Sequence, residues 1–220
     1  MMDRFSACFC SLNGRVVIIA LCFVLAAYFT ACTHTVALTD NVAAYSMPLI
    51  QGAPKVILSD FLDNRTDKKN LGQIGGLSLT ESEIAMNVIL TNRIASKLRD
   101  EGFNVTKTNI GKPGNTQELQ SVMTSNSGNV FLSGGLNTFY VSSFDAIMET
   151  GKGTVNYYVD VFDAAGNAVF NGKYSSYAEH WIGLSGQFGS EKLIEKSLQA
   201  SVDDLFSDRR FRDLLNNIKK

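Results

Sequence analysis

Two long stretches in the second half of the chain alternate apolar and polar side chains, and this pattern restricts the fold more than any other feature. Residues 153–163 read "GTVNYYVDVFD" and residues 167–181 read "NAVFNGKYSSYAEHW", both with a period of two. Asp163, Gly166 and Asn167, between the two stretches, are typical of a tight turn. The pattern therefore predicts antiparallel strands joined as a hairpin, with one covered face.

Two other segments show the helical period. In the first, Thr80 and Glu83 form a capping box, and Gly102 follows the last turn. In the second, Ser190 is the predicted N-cap of a long helix, and Asp208 is that of a short final helix. Their apolar residues recur every three or four positions: Ile84, Val88, Ile94 and Leu98 in the first segment, and Leu193, Ile194, Leu198, Val202, Leu205 and Phe206 in the second.

The order of predicted elements, β-α-β-β-β-β-α-α, defines the expected fold class. Residues 130–148 predict a strand broken at two glycines, and residues 111–128 predict a connection with one helical turn. We expect an α+β fold, with a mainly antiparallel sheet of four to five strands and two main helices packed on one face. A chain of 220 residues, 45% of them apolar, suits one such domain, at residues 55–220.

The start of the chain differs from the rest. Arg4 and Arg15 precede an uncharged apolar run, residues 16–31. This run is shorter than the roughly 20 residues that a spanning helix needs, and it fits a secretory leader. It ends in Phe-Thr-Ala-Cys, residues 29–32, which resembles a bacterial lipobox with phenylalanine where leucine is usual.

The lipobox resemblance implies a lipid anchor. Residues 1–31 would be a signal peptide, Cys32 would be diacylated on sulfur and acylated on its new amine, and residues 32–54 would be a tether. The other cysteines lie in the leader, so the mature domain would contain no disulfide. Thr33 follows where an inner-membrane retention signal has Asp, which predicts the periplasmic leaflet of the outer membrane. The alternative is that Cys32 is an ordinary cysteine ending an uncleaved anchor.

Composition and motifs argue against several activities. A net charge of −1 without a basic cluster argues against a nucleic-acid binder. The domain has one histidine, His180, and no cysteine, so a zinc site of those ligands is impossible. Residues 183–187, "GLSGQ", lack the last glycine of a nucleophile elbow, and residues 151–154, "GKGT", predict a hairpin turn. We expect no catalytic residue, metal or cofactor.

Two residue pairs are candidate interaction sites. Asp63 and Arg65 lie in a polar loop after the first strand, where an ion pair that shapes the loop is the simpler hypothesis and an interaction role is the alternative. His180 and Trp181 end the last long strand, where an exposed tryptophan is a common contact residue. Packing at the sheet edge is the alternative for Trp181.

Several short motifs, taken in order, resemble the YajG-like family of bacterial lipoproteins. They are the lipobox at Cys32, Asp63-Asn64-Arg65, Leu71-Gly72, Leu98-Arg99-Asp100-Glu101-Gly102-Phe103, the turn at 163–167, Gly172-Lys173-Tyr174-Ser175 and an amphipathic C-terminal helix. The resemblance covers most of residues 55–215. It implies an envelope location without established catalytic residues, and its Asp-x-Arg feature maps onto Asp63 and Arg65. The chain departs from the family at 109–128 and at His180 and Trp181.

Two functions of different classes remain open. The first is a lipid-anchored, non-catalytic accessory protein that binds an envelope protein through an open sheet edge or a helix-free sheet face. The second is a module for a small envelope ligand, a glycan or lipid fragment, stacked on Trp181, Tyr157, Tyr158 and Tyr174. A long unpaired strand edge favours the first function, and one exposed aromatic cluster around a concavity favours the second.

Overall fold

A fourteen-residue strand, Val130–Ser143, runs through the middle of the sheet and organises the fold. The computed structural model describes residues 33–36, 49–74, 77–81, 84–111, 113–143, 150–182 and 186–220. Residues Thr35–Lys220 form one unit, and the architecture below is that of this unit. No helix within the described ranges is both long enough and apolar enough to cross a bilayer.

Nine strands and four helices lie in the described ranges. They are β1 (Thr33–Val36), β2 (Lys55–Ser59), β3 (Leu62–Asp63), β4 (Asn70–Ile74), β5 (Leu77–Glu81), α1 (Met86–Asp100), β6 (Asn104–Thr108), α2 (Thr116–Asn126), β7 (Val130–Ser143), β8 (Thr150–Asp163), β9 (Ala168–Trp181), α3 (Gly186–Ser207) and α4 (Arg209–Ile218).

Strand β7 forms hydrogen bonds along both of its edges. One edge pairs antiparallel with β8, and β8 pairs antiparallel with β9. The other edge pairs with three short parallel strands, which are β2 at its start, β3 in its middle and β4 at its end. Strand β6 extends the sheet beyond β2, and β5 followed by β1 extends it beyond β4. The sheet therefore has one long antiparallel arm, β7–β8–β9, and two short branches.

The helices cover the two faces of the sheet unequally. Helices α1, α3 and α4 bury their apolar residues in the main core, on the side of Leu132, Val155 and Val159. Helix α2 packs on the opposite face with Ile57, Phe131 and Phe162, near the β8–β9 turn. The rest of that second face carries no helix within the described part of the chain.

The prediction of an α+β fold is confirmed, whereas the predicted sheet differs from the structure. The expected mainly antiparallel sheet of four to five strands is a mixed sheet of nine, and α2 lies on the face opposite the other helices. The short strands at 62–81 are brief and rich in polar residues, and the alternation of Leu77 and Leu79 in β5 covers too few residues to predict a strand. The parallel partner of β3 and β4 is β7, which lies more than fifty residues away, beyond the reach of local sequence signals.

The predicted capping box of the first helix is wrong. Thr80 lies in β5, the helix begins only at Met86, and Glu83 falls outside the described residues. The N-cap residue, Ala85, provides no side-chain acceptor. Instead, Oε1 of Glu81 accepts the backbone N–H of Met86, with an N···O distance of 2.5 Å. A carboxylate from the preceding strand therefore satisfies one of the free amides of the helix.

Other turn signals predicted the structure correctly. Gly102 has φ of +90°, its N–H donates to Arg99 O, and the N–H of Phe103 donates to Leu98 O, as in a Schellman motif. The turn between β8 and β9 lies at residues 164–167. Asp208 caps α4, because its Oδ1 accepts the Arg210 N–H at 2.9 Å.

Four further boundaries differ from the predictions. The single turn expected near 118–123 is an eleven-residue helix, α2, and β7 continues unbroken through Gly134 and Gly135. The predicted end of that strand, residues 144–149, lies outside the described residues. Residues 151–154 belong to the interior of β8 and form no turn. Helix α3 begins at Gly186, so Ser190 is a buried residue within it.

Gly72 joins the short branch formed by β4, β5 and β1 to β7. It pairs with Val141 and has φ of +127°, at a register shift in β4. A Cβ added to Gly72 would lie 1.8 Å from the carbonyl oxygen of Val141. Only glycine can therefore bring the two backbones into this contact.

We expect Gly72→Ala to destabilise the protein by about 3 kcal/mol, because the added methyl forces β4 away from β7. The free energy of unfolding in urea measures this effect. Gly114→Ala is the matched control, because its Cβ would lie 3.5 Å from the nearest atom, Oε2 of Glu118. Equal stability of both variants would contradict the role assigned to Gly72.

Candidate functional site

Cys32, the predicted lipidation site, lies outside the described residues. Acylation at this position therefore stays a prediction. Within the predicted tether, Thr33–Val36 form β1, and residues 49–54 lead into β2. The side chain of Asn104 in β6 holds this second segment, because it accepts the Ile50 N–H and donates to Ile50 O, both at 2.8 Å.

Asp63 and Arg65 form a buried ion pair at the point where the two short branches of the sheet separate. Nε and Nη2 of Arg65 donate to the two carboxylate oxygens of Asp63, at 2.9 and 2.8 Å. The side chain of Arg65 is only 3% exposed. This fork geometry is the strong, bidentate form of the arginine–carboxylate contact.

Glu81 is a third member of this cluster, and the sequence analysis missed it. Its Oε1 accepts from Nη2 of Arg65 at 2.9 Å and also from the N–H of Met86 at the start of α1. The three side chains therefore connect β3, β5 and the first turn of α1. The only sequence signal was a carboxylate directly after Thr80, the predicted N-cap of the first helix.

The pKa of Asp63 depends on its contacts with Arg65. Burial alone would raise the pKa of Asp63, but hydrogen bonds from the side chain and backbone of Arg65 and its positive charge outweigh burial. The pKa of Asp63 therefore lies below its ordinary value. The ion pairs of Arg65 run to β3 and β5 of its own fold, which favours the loop-structuring hypothesis for Asp63 and Arg65.

His180 and Trp181 lie together at the end of β9, but their side chains point to opposite faces of the sheet. His180 is half-buried and lies on the same side of β9 as Ser176, whose hydroxyl donates to Asp204 in α3, so it is on the helix side. Burial and the nearby charges of Lys196 and Lys192, both in α3, lower its pKa. Trp181 lies on the other side and is 61% exposed. Adjacent strand residues alternate between faces, so the two cannot form one contact patch.

We define the open face as the side chains of the long arm that point away from α1, α3 and α4. It includes Thr138, Tyr140, Ser142, Thr150, Lys152, Thr154, Asn156, Tyr158, Asp160, Asn171, Lys173, Ser175, Tyr177, Glu179 and Trp181. Tyr140, Thr154 and Tyr177 form one cross-strand row, and Tyr140 and Tyr177 are 45% and 53% exposed. Sequence reasoning missed these two tyrosines, although the period of two places Tyr177 on the same side as Trp181.

The four aromatic residues proposed as a stacking surface do not share a face. Tyr157 is 1% exposed, its ring stacks on Tyr174 at a centroid distance of 5.1 Å, and its hydroxyl donates to Ser201 O in α3. The hydroxyl of Tyr174 donates to Oδ2 of Asp208 at 3.0 Å. Both rings are therefore part of the contact between sheet and helices, and only Tyr158 and Trp181 remain on the open face.

Clusters suited to metal binding are not found among the described residues, where no three His, Cys, Asp or Glu side chains come together. The carboxylates near the first strand have other contacts. Asp60 lies 2.6 Å from Nζ of Lys107, and Asp67 accepts the N–H groups of Lys69 and Asn70. These are the ion-pair and turn roles that such residues commonly have.

No family model matches the chain, and no curated protein matches it. Among solved structures, a Xanthomonas campestris protein of the DUF330 family is similar over 84% of this chain and 98% of its own, with 8% identity and a TM-score of 0.51. At this identity the likeness shows a shared fold alone.

Two further structures overlap less. A lipoprotein from Neisseria meningitidis has a TM-score of 0.40 and 13% identity, over 69% of this chain and 96% of its own. The LpoB C-terminal domain from Salmonella enterica has a TM-score of 0.32 and 12% identity, over 57% and 85%. Likeness at this level carries no argument about function. None of the three bears the YajG name, so that resemblance stays a prediction.

We expect Arg65→Met to lower the free energy of unfolding by about 3–5 kcal/mol, because it leaves two carboxylates buried together without their cation. Urea unfolding measures the loss. Arg212→Met is the control, because Arg212 is exposed on α4 and its loss should change stability by less than about 0.5 kcal/mol.

The pH dependence of stability provides a second readout of the same pair. Since the pKa of Asp63 is lower in the folded state, its ionised form adds stability above the unfolded pKa of about 3.9, and this is lost as pH falls through the folded pKa. Asp63→Asn should flatten this acid-side slope. An unchanged slope would show that Asp63 is not coupled to folding.

Proposed function

We propose that this protein is a lipid-anchored, non-catalytic lipoprotein of the cell envelope. Its anchor is Cys32, its membrane is the outer membrane, and its domain faces the periplasm. There it acts as an accessory protein that binds a protein partner through the open face of the β7–β8–β9 arm. The support for the anchor is the lipobox pattern, and the support for the binding role is the open face.

The open face is the observation that carries the binding role. Three large aromatic side chains, Tyr140, Tyr177 and Trp181, are about half exposed or more, on the part of this sheet face that no helix in the described ranges covers. Tyrosine and tryptophan dominate the binding energy of protein interfaces, because they combine large apolar area with a polar group. Around them lie hydroxyl, amide and charged groups of both signs, which resemble the polar rim of an interface.

The small-ligand alternative has less support. Its aromatic surface loses Tyr157 and Tyr174 to the helix contact. The remaining rings, Tyr158 and Trp181, lie on a long sheet surface beside the edge of β9, with which no further strand of the described ranges pairs. A protein partner fits such an extended surface better than a small ligand does.

Chain length limits how far the anchor lies from the sheet. Thr35 belongs to β1, and its hydroxyl lies 3.3 Å from that of Thr80 in β5. Three peptide units join Cys32 to Thr35, and they span at most about 10 Å. A lipid on Cys32 would therefore keep the β1 end of the sheet near the bilayer surface.

Photo-crosslinking from the open face tests the binding role. A crosslinking amino acid in place of Tyr140, Tyr177 or Trp181 should give the same discrete protein adduct in living cells. The control positions are Gln199 and Arg212, exposed residues of α3 and α4. The same adduct from both sets would overturn the assignment to the open face, and a glycan or lipid captured without any protein would favour the small-ligand alternative.

Replacement of the anchor residue tests the localisation. We expect Cys32→Ala to abolish labelling by a fatty-acid analogue and to leave the leader uncleaved, because the acylated thiol is lost. The measurement is metabolic labelling together with the mass of the protein. Ser11→Ala is the control variant and should be labelled like the wild type. Unchanged labelling of Cys32→Ala would exclude lipidation at this residue.

A further inference from the structure

Strand β9 forms the outer edge of the long arm. It pairs with β8 on one side, and no strand in the described part of the chain pairs with its other side. Helix α4 starts beside β9, where Tyr174 donates to Asp208. It ends near Phe103, since Nζ of Lys219 is 4.9 Å from the centroid of the Phe103 ring. Phe103 directly precedes β6, which lies at the opposite side of the sheet. The helix thus runs away from the β9 edge.

The β9 edge has few of the features that keep sheet edges from pairing. Its fourteen residues include no proline, and Lys173 and Glu179 are its only lysine, arginine or acidic residues. Both are exposed on the open face, and the Tyr177 hydroxyl donates to Oε1 of Glu179. A long edge of this kind presents a row of N–H and C=O groups to another strand.

We propose that the β9 edge pairs with the β9 edge of a second copy of this chain, antiparallel and centred on Ser176. Antiparallel pairing about a twofold axis places residues equally far from the centre opposite each other. Lys173 is three residues before Ser176, and Glu179 is three residues after it. Each Lys173 therefore lies opposite Glu179 of the second copy, which gives two cross-strand ion pairs.

Charge complementarity selects this register. A shift of two residues in either direction places Lys173 opposite Tyr177 or Trp181 of the second copy, and both ion pairs are lost. In the proposed register, Ser175 lies opposite Tyr177 and Asn171 opposite Trp181, so no like charges meet on the open face. A register shift by an odd number of residues would put an open-face residue opposite a helix-side residue. A twofold axis normal to the sheet does not allow this, because it keeps every side chain on its own face of the sheet.

Self-pairing joins the open faces of two copies into one surface. The twofold axis keeps both sets of helices on the same side, so the long arms form a continuous sheet of six long strands. Pairing from Asn171 to Trp181 adds roughly ten backbone hydrogen bonds. This association goes beyond the proposed function, because it requires neither the lipid nor the envelope partner.

Disulfide trapping tests the register directly. The full-length chain carrying Ser175→Cys and Tyr177→Cys, with Cys8, Cys10, Cys22 and Cys32 replaced by serine so that no native thiol can form the crosslink, is expressed in cells and treated with a membrane-permeant oxidant. Opposed residues of an antiparallel pair have Cα atoms about 4.5–5.5 Å apart, within disulfide range. We expect a covalent dimer. The control, Asn171→Cys with Ser175→Cys, brings no two thiols opposite each other and should give little dimer.

Charge reversal in the crosslinking variant tests the ion pairs. Lys173→Glu or Glu179→Lys alone should lower the dimer yield roughly fivefold or more, because both cross-strand pairs become repulsive. The combined reversal should restore the yield. Arg212→Glu, the same charge change at an exposed position of α4, should leave it unchanged, and an unchanged thermal midpoint shows that each variant is folded.

Three results would overturn the proposal. They are the absence of a covalent dimer, an equal yield from the control cysteine pair, and a yield that does not respond to charge reversal. Trapping of a different protein without any dimer would also overturn it and would assign the β9 edge to the envelope partner. None of these outcomes depends on acylation of Cys32, so this proposal and the lipid-anchor proposal fail separately.

Discussion

The structure depends on the backbone pairing of β7 along both of its edges. Its pairing with β8 builds the long arm, and its pairing with β2, β3 and β4 holds the two short branches. The strands that pair parallel with β7 need a helix packed on their face of the sheet, and α1 packs there. The antiparallel arm can leave a face exposed to solvent, because alternate residues point away from the core. The open face follows from this division.

The buried Arg65 cluster stabilises the point at which the branches diverge. The guanidinium binds Asp63 on β3 and Glu81 on β5, and Glu81 also accepts an amide of α1. Burial of three charges is favourable only when their hydrogen bonds are made together. The cluster therefore positions α1, β3 and β5 relative to one another, and none of its three side chains belongs to the open face.

Local signals in the sequence predicted the elements whose causes are local. The turn at Gly166, the Schellman motif at Gly102 and the cap at Asp208 depend on backbone conformations and side chains a few residues apart. The parallel branches could not be predicted, because their partner strand is distant in sequence and each branch strand is short. The faces of Tyr157 and Tyr158, and of His180 and Trp181, were predictable from the period of two, since adjacent strand residues must point in opposite directions.

The central claim is that the β9 edge and the open face beside it are where this protein meets other chains. Residue-resolved amide hydrogen exchange of β9 tests it most directly, comparing the dilute purified protein with the protein in its native membrane. Every second amide of β9 points away from β8, and we expect these amides to exchange fast when dilute and to be protected at least tenfold in the membrane. Equally fast exchange of these amides in both states would contradict the claim.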